Sequence, residues 1–338
     1  MRICVTGATG FVGSHCVLAL SAIPGIEVIA ACRDSSRLPK EFEGEIHLGD
    51  LLDPEYLEFL LRDIDVVIHA AAWTSLWGHR KPSRKLFLEP SLALIEAAQR
   101  NKVKRFVFIS TVSAAAPYGS SDPSSIGKTR SYWPHEANVV VIENELRSIA
   151  NETFCAVNLR LGLFAGSRYA LGLLPVLVPR LKTHLVPWVA GGRTKLPIID
   201  GRDIGAACAL AATKQGLSGF ESFNVVGPEV PTVREVIDYL HENYKLPRPH
   251  FSVPFPIAFA FAWLMEKLNP IVPWEPLVTR SIVHLLQVTS VDSDLARQRL
   301  GYRPKHHWKQ AIDTQMLEMA ERQKKPMSMA RPLPEKQS

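Results

Sequence analysis

The sequence predicts an α/β fold: a doubly wound parallel sheet with a smaller C-terminal lobe. Three observations point to it. Short runs rich in Val and Ile alternate with segments of helical period through the first half of the chain. These runs carry little polar alternation, the pattern of strands buried on both faces of a parallel sheet. A glycine-rich turn, Gly7-Ala8-Thr9-Gly10-Phe11-Val12-Gly13, joins the first run to the first helical segment.

Taken in order, strands are predicted over residues 3–6, 27–32, 45–48, 65–70, 105–110 and 155–160. Helices are predicted between them over 14–23, 54–62, 86–101 and 137–150. This βαβ order puts a ligand crevice at the carboxyl ends of the strands. Beyond Gly162 the texture changes, with Gly, Pro and Arg interrupting short segments. A helix over 204–213, a strand over 223–226 and a helix over 233–239 follow. The expected division is a dinucleotide-binding domain over 1–165, a substrate lobe over 166–322 partly interleaved with it, and a disordered tail over 323–338.

Composition removes several function classes. The net charge of +6 is spread along the chain, and its one short cluster is Arg322-Gln323-Lys324-Lys325. A nucleic-acid partner would need a concentrated basic stripe, so none is expected. Cys4, Cys16, Cys32, Cys155 and Cys208 are scattered through apolar runs without a C-x-x-C pair. That argues for a reducing compartment and against a disulfide framework or a metal site. The chain opens directly on a strand with no signal peptide, so the expected location is cytoplasmic. The greasy stretch over 251–264 is broken by Pro254 and Pro256 and is too short to span a bilayer. A membrane-surface contact near residues 255–268 is a lesser alternative.

The glycine turn carries the chemistry. Gly7, Gly10 and Gly13 follow a strand and open a helix, the context in which such spacing means dinucleotide binding. Glycines let the backbone approach a pyrophosphate, and the helix N-terminus offers unpaired N–H groups to it. This is the signature of a Rossmann-type sheet, and it points to a nicotinamide dinucleotide. The second strand ends Ala31-Cys32-Arg33-Asp34-Ser35-Ser36-Arg37. An acid at the strand end reads the NAD ribose, whereas arginine accommodates the NADP 2′-phosphate. Cys32 stands where the acid is expected, so Arg33 and Arg37 favour NADP(H), with NAD(H) as the alternative.

Further short motifs follow: Gly49-Asp50-Leu51, His69-Ala70-Ala71-Ala72, Ser110-Thr111, Leu159-Arg160, Arg202-Asp203-Ile204, Phe223-Asn224-Val225 and Leu300-Gly301-Tyr302-Arg303-Pro304. With the glycine turn they resemble the extended short-chain dehydrogenase/reductase superfamily, of the NAD(P)-dependent epimerase/dehydratase type. The nearest branch is the one like 3β-hydroxysteroid dehydrogenase and dihydroflavonol reductase. The resemblance implies that Asp50, with Leu51 beside it, contacts the adenine, and that Ala70, Ala71 and Ala72 line the nicotinamide ribose. It also implies a catalytic set of Ser or Thr, Tyr, Lys in Tyr-x-x-x-Lys, and an Asn, as well as a homodimer.

Thr111 and Tyr132 fit the first two positions. Glu136 stands where the lysine should, and Phe87 falls at the expected Asn. A carboxylate four residues along a helix would raise the phenol's pKa where the lysine lowers it. Lys128, Arg130 or His135 would have to supply the missing cation. His69 reads as a satisfied near-core histidine. At the substrate end Arg180, Lys182, His184, Arg193 and Lys195 lie among apolar residues, and Trp263 and Pro273-Trp274 add greasy surface. The expectation is an oxidoreductase acting on a small hydrophobic carbonyl or alcohol. The alternatives are a catalytically silent dinucleotide-binding sensor or assembly protein, and a nucleotide-sugar epimerase or dehydratase.

Overall fold

A computed structural model describes residues 1–115, 122, 124–168, 172–271, 276, 278–287 and 291–324. Pro273-Trp274 and residues 325–338 of the expected tail lie outside the described residues.

The first half runs β1 (Arg2–Thr6), α1 (Phe11–Ser21), β2 (Glu27–Cys32), β3 (Glu45–Leu48), α2 (Pro54–Leu60) and β4 (Val66–His69). It continues through a single turn α3 (Arg80–Ser83), α4 (Glu89–Arg100), β5 (Arg105–Thr111), α5 (Pro134–Ile149) and β6 (Cys155–Leu161). Between α3 and α4 the residues Arg84–Leu88 form a π-helical turn. Pro90 has no N–H to give the Leu86 carbonyl, so the helix widens one turn ahead of it. Proline also sets the start of α5, where Pro134 occupies the first turn without losing a needed donor.

The second half holds β7 (Leu163–Ala165), α6 (Leu173–Lys182), β8 (Trp188–Val189), β9 (Ile198–Asp200), α7 (Gly201–Thr213), β10 (Phe220–Val225), α8 (Val233–Tyr244) and β11 (Ser252–Val253). Then come α9 (Phe255–Leu268), α10 (Arg280–Leu285), α11 (Asp294–Arg299) and α12 (Trp308–Lys324). The helix α12 carries regular structure through Gln323 and Lys324, the first two residues of the predicted tail. Its amphipathic packing through Trp308, Ala311 and Ile312 extends helical order past the point where composition turns polar.

The main sheet has the order β10-β6-β5-β4-β1-β2-β3, and its ladders are parallel throughout. Side chains alternate between its faces, as a two-residue period requires. From β1, Ile3 and Val5 join the core under α1 and α7, while Cys4 joins the core under α2, α4 and α5. The chain beyond residue 165 is shared between the two units. Strand β10 pairs with β6, and α7 and α11 pack under the sheet, while β8, β9, α6, α8 and α12 build the lobe around Trp188, Ile198, Leu240 and Trp308, with α9 and α10 in a cluster of their own.

Two of the short motifs prove to be anchors. Asp203 on α7 accepts the backbone N–H groups of Lys305 and His306 at 3.0 and 2.9 Å. The Tyr302 hydroxyl donates to the Val226 carbonyl at 3.0 Å. Together they pin the returning chain to the start of α7 and to the carboxyl end of β10.

The strongest polar constraint lies beneath α5. Arg160 on β6 is wholly buried and grips Glu143 through two bonds, Nε to Oε1 at 3.0 Å and Nη2 to Oε2 at 2.7 Å. Asn158 donates to Glu143 at 3.0 Å, Ser110 donates to the same carboxylate, and Arg160 also donates to the Ser125 carbonyl at 2.8 Å. Breaking a buried pair strands the other charge, at a cost of about 3–5 kcal/mol. Glu143→Leu is therefore expected to lower unfolding free energy by about that much in urea titration. The double variant Glu143→Leu with Arg160→Met should recover most of the loss.

Candidate functional site

The glycine turn forms a cradle that admits no side chain. Gly7 adopts φ +66°, and a Cβ there would sit 2.6 Å from the Ala71 backbone. A Cβ on Gly13 would lie 2.2 Å from the Gly7 carbonyl oxygen. The turn is closed by the Gly10 N–H donating to the Gly7 carbonyl at 2.9 Å. Helix α1 then starts at Phe11 with no capping side chain and no acid in its first turn. Its positive end is left open to a phosphate. This fits a dinucleotide pyrophosphate, and Ala8, Thr9 and Val12 fill in the same turn.

The loops expected to hold the rest of the cofactor gather at the same carboxyl edge. Ala70 and Ala71 follow β4 directly against Gly7, with Ala72 next in line. Asp50 and Leu51 follow β3, and the Gly49 N–H donates to the Cys32 carbonyl, tying that loop to the end of β2. Asp34 turns into its own turn, accepting the Ser36 N–H at 2.9 Å. Arg33 and Arg37 stand exposed on either side of it.

The second half of the site is built by α5, the π turn and the lobe. Because α5 begins at Pro134, Tyr132 sits in the turn before it, so Tyr132 and Glu136 are not stacked one helical turn apart. This corrects the spacing argument from sequence. Instead Glu136 points into the interior, wholly buried, and ion-pairs with Arg130. Tyr132 faces the lobe. Its hydroxyl lies 3.3 Å from His284 Nδ1, its ring meets Phe259 edge-on at 5.7 Å, and the Arg280 guanidinium lies 4.7 Å from the ring centre. His135, on the first turn of α5, packs against Phe87 at 4.9 Å.

Burial dominates the electrostatics here. It raises the Tyr132 phenol above its ordinary value, with Glu136 and Glu266 adding to the rise and Arg130 and Arg280 opposing it. Burial also lifts the Glu136 carboxyl to about 7, against the pull of Arg130. His135 and His284 are pushed down to about 4, so neither imidazole is a cation at neutral pH. Of the cations the sequence offered, Arg130 is engaged by Glu136, His135 is neutral, and Lys128 is solvent-exposed. Sequence reasoning did not single out His284. It lies 152 residues from Tyr132, and no spacing signal connects them.

Thr111 ends β5 and caps the next turn, its hydroxyl 3.0 Å from the Ser113 hydroxyl. The Ser113 backbone in turn meets the His284 ring. Thr111 and Tyr132 are thus joined through Ser113 and His284. His69 is a core group, with Thr6 and Ser91 hydroxyls each 2.8 Å from its two nitrogens. Arg180, Lys182, His184, Arg193 and Lys195 are not among the contacts of Tyr132, whose partners are Phe259, Arg280 and His284.

The Glu136 environment sets a pH dependence. A carboxyl whose pKa is higher folded than unfolded stabilises the fold below its unfolded value, near 4.5, and that stability is lost as pH rises through about 7. Glu136→Gln stays neutral throughout. Its thermal midpoint should exceed the wild type's at pH 8, and the gap should narrow as pH falls and close below about pH 4, as read by differential scanning calorimetry.

Residues 3–244 match the model of the NAD dependent epimerase/dehydratase family. A 4-hydroxy-2-methyl-3-oxo-4-farnesyl-3,4-dihydroquinoline-1-oxide ketoreductase from Stigmatella aurantiaca is 27% identical, over 93% of this chain and 95% of its own. The mitochondrial NADH dehydrogenase [ubiquinone] 1 alpha subcomplex subunit 9 of Arabidopsis thaliana is 26% identical, over 86% of this chain and 69% of its own. Among solved structures, MoeE5 in complex with UDP-glucuronic acid and NAD superposes with a TM-score of 0.69 at 21% identity, covering 96% of this chain and all of the other. With the cradle and the parallel sheet in place, these matches settle the family: the chain belongs to the NAD dependent epimerase/dehydratase family.

Proposed function

We propose that this protein is an NADPH-dependent reductase of an apolar carbonyl compound, with Tyr132 as the proton donor. The observation that carries this reading is the Tyr132 phenol, kept protonated by burial between the sheet edge and the lobe residues Phe259 and His284. When bound, the nicotinamide supplies hydride to the carbonyl carbon. Tyr132 hydrogen-bonds the carbonyl oxygen and gives it a proton as negative charge develops there. Thr111 offers a second hydroxyl to the same oxygen. Arg130 and Arg280 stabilise the phenolate left behind until solvent reprotonates it.

A raised phenol favours one direction. Oxidation of an alcohol needs Tyr132 as a base, and a phenol above its ordinary value is almost wholly protonated at neutral pH. Reduction needs the neutral form, which is the form present. The half-buried Phe259 ring beside Tyr132 suits an apolar substrate, in keeping with the farnesyl-bearing compound in the Stigmatella relative's name. The preference for NADP(H) rests on Arg33 and Arg37, together with the withdrawal of Asp34 into its own turn.

A second reading is a dinucleotide-holding subunit with proton transfer switched off. The buried Glu136 at the lysine position favours it, as does the likeness to the NADH dehydrogenase [ubiquinone] 1 alpha subcomplex subunit 9 of Arabidopsis thaliana. NADPH oxidation against a panel of hydrophobic ketones separates the two. Turnover that Tyr132→Phe lowers by about 10²-fold or more, with NADPH affinity unchanged, supports the reductase. Tight NADPH binding with no ketone consumed supports the silent subunit. For the reductase, the rate should stay flat from neutral pH to beyond the ordinary phenol value, falling only at the raised pKa. Arg33→Ser with Arg37→Ser should weaken NADPH binding about tenfold or more and leave NADH nearly unchanged in calorimetry.

A further inference from the structure

The helix α9 is apolar on every side from Phe255 to Met265, a composition that belongs inside a protein or against a membrane. One side is covered. Ala258 and Ala262 pack on Val283 of α10, and Phe259 reaches Tyr132. The other side is bare. Ile257, Phe261, Leu264 and Leu268 recur at helical spacing and are 59, 51, 45 and 41% exposed, with Trp263 beside them at 47%. Exposed apolar patches of this kind mark interaction surfaces.

The segments that flank this face are rich in cations. Residues 180–199 and 245–271 together hold seven Lys and Arg and a single acid, Glu266, although Arg248 is engaged by Asp238 and Glu242 of α8. Glu266 is buried and spent on Arg280, whose Nε lies 2.7 Å away, so it presents no negative charge outward. Lys267 is exposed on α9 itself, and Lys182 and His184 precede Leu185, which is 71% exposed. His184 stacks on His250 at 5.9 Å, which ties that turn to the half-exposed Phe251 leading into α9.

We propose that α9 docks flat on an anionic phospholipid surface, its outer residues entering the headgroup boundary and the flanking cations meeting lipid phosphates. Charge selects this occupant over a second copy of the chain. A self-complementary contact would bring these cations against one another. The docking is independent of the reductase reading, because it needs neither cofactor nor substrate.

Sedimentation tests it with the full chain and two kinds of vesicle: phosphatidylcholine alone, and phosphatidylcholine with phosphatidylglycerol in equal parts. The wild type should pellet with the mixed vesicles, more weakly with phosphatidylcholine, and lose binding as salt is raised. Ile257→Asn with Phe261→Asn should lose at least tenfold in partitioning while keeping thermal midpoint and NADPH affinity. Wild type left in the supernatant, equal binding to both vesicles, or a variant that still pellets would overturn the proposal. So would a wild-type dimer in free solution that the variant converts to monomer, which would assign the face to a second copy.

Discussion

The arrangement of this protein depends on one buried ion pair, Arg160 with Glu143. Two charges removed from water repay their desolvation only when every remaining donor and acceptor is engaged. Here Ser110 from β5, Asn158 from β6 and the Ser125 carbonyl complete the shell. That network admits one rotation and one register of α5 against the sheet. Once α5 is so fixed, its first turn carries Glu136 inward and His135 onto Phe87, and the preceding turn aims Tyr132 at the lobe. The candidate site is a consequence of a polar contact two helical turns away.

That placement changes how the site is tuned. The buried acid Glu136 stands where the resemblance implies a lysine, which would lower the phenol directly. Two guanidiniums, from Arg130 and Arg280, lie close enough to oppose the rise, but each is engaged by its own carboxylate. Desolvation outweighs them, and the Tyr132 phenol is held above its ordinary value. The lobe supplies Phe259, Arg280 and His284 to its surroundings.

The sheet was legible in the sequence because strands buried on both faces leave unbroken apolar runs. The six strands read from the first half appear within about two residues of their predicted ends. The glycine turn was legible because its spacing has a steric reason, visible in the clash distances at Gly7 and Gly13. The seventh strand was read as a short segment beyond the change of texture. Its place beside β6 is set by long-range pairing that leaves no local pattern. The helix predicted over 137–150 starts three residues earlier, at Pro134, because proline fits the first helical turn, and Tyr132 lies outside it. His284 had no signal at all, since a lone histidine in an apolar segment acquires meaning only when the lobe folds over the sheet.

The central claim is that burial holds the Tyr132 phenol above its ordinary value, against the pull of Arg130 and Arg280. Its pKa in the NADPH complex measures this directly, through ring-carbon NMR of labelled tyrosine, with Tyr132→Phe identifying the signal. The account predicts a value above that of free tyrosine. A value well below it would mean that Arg130 or Arg280 overrides desolvation, and the site would then be poised for oxidation as well as reduction.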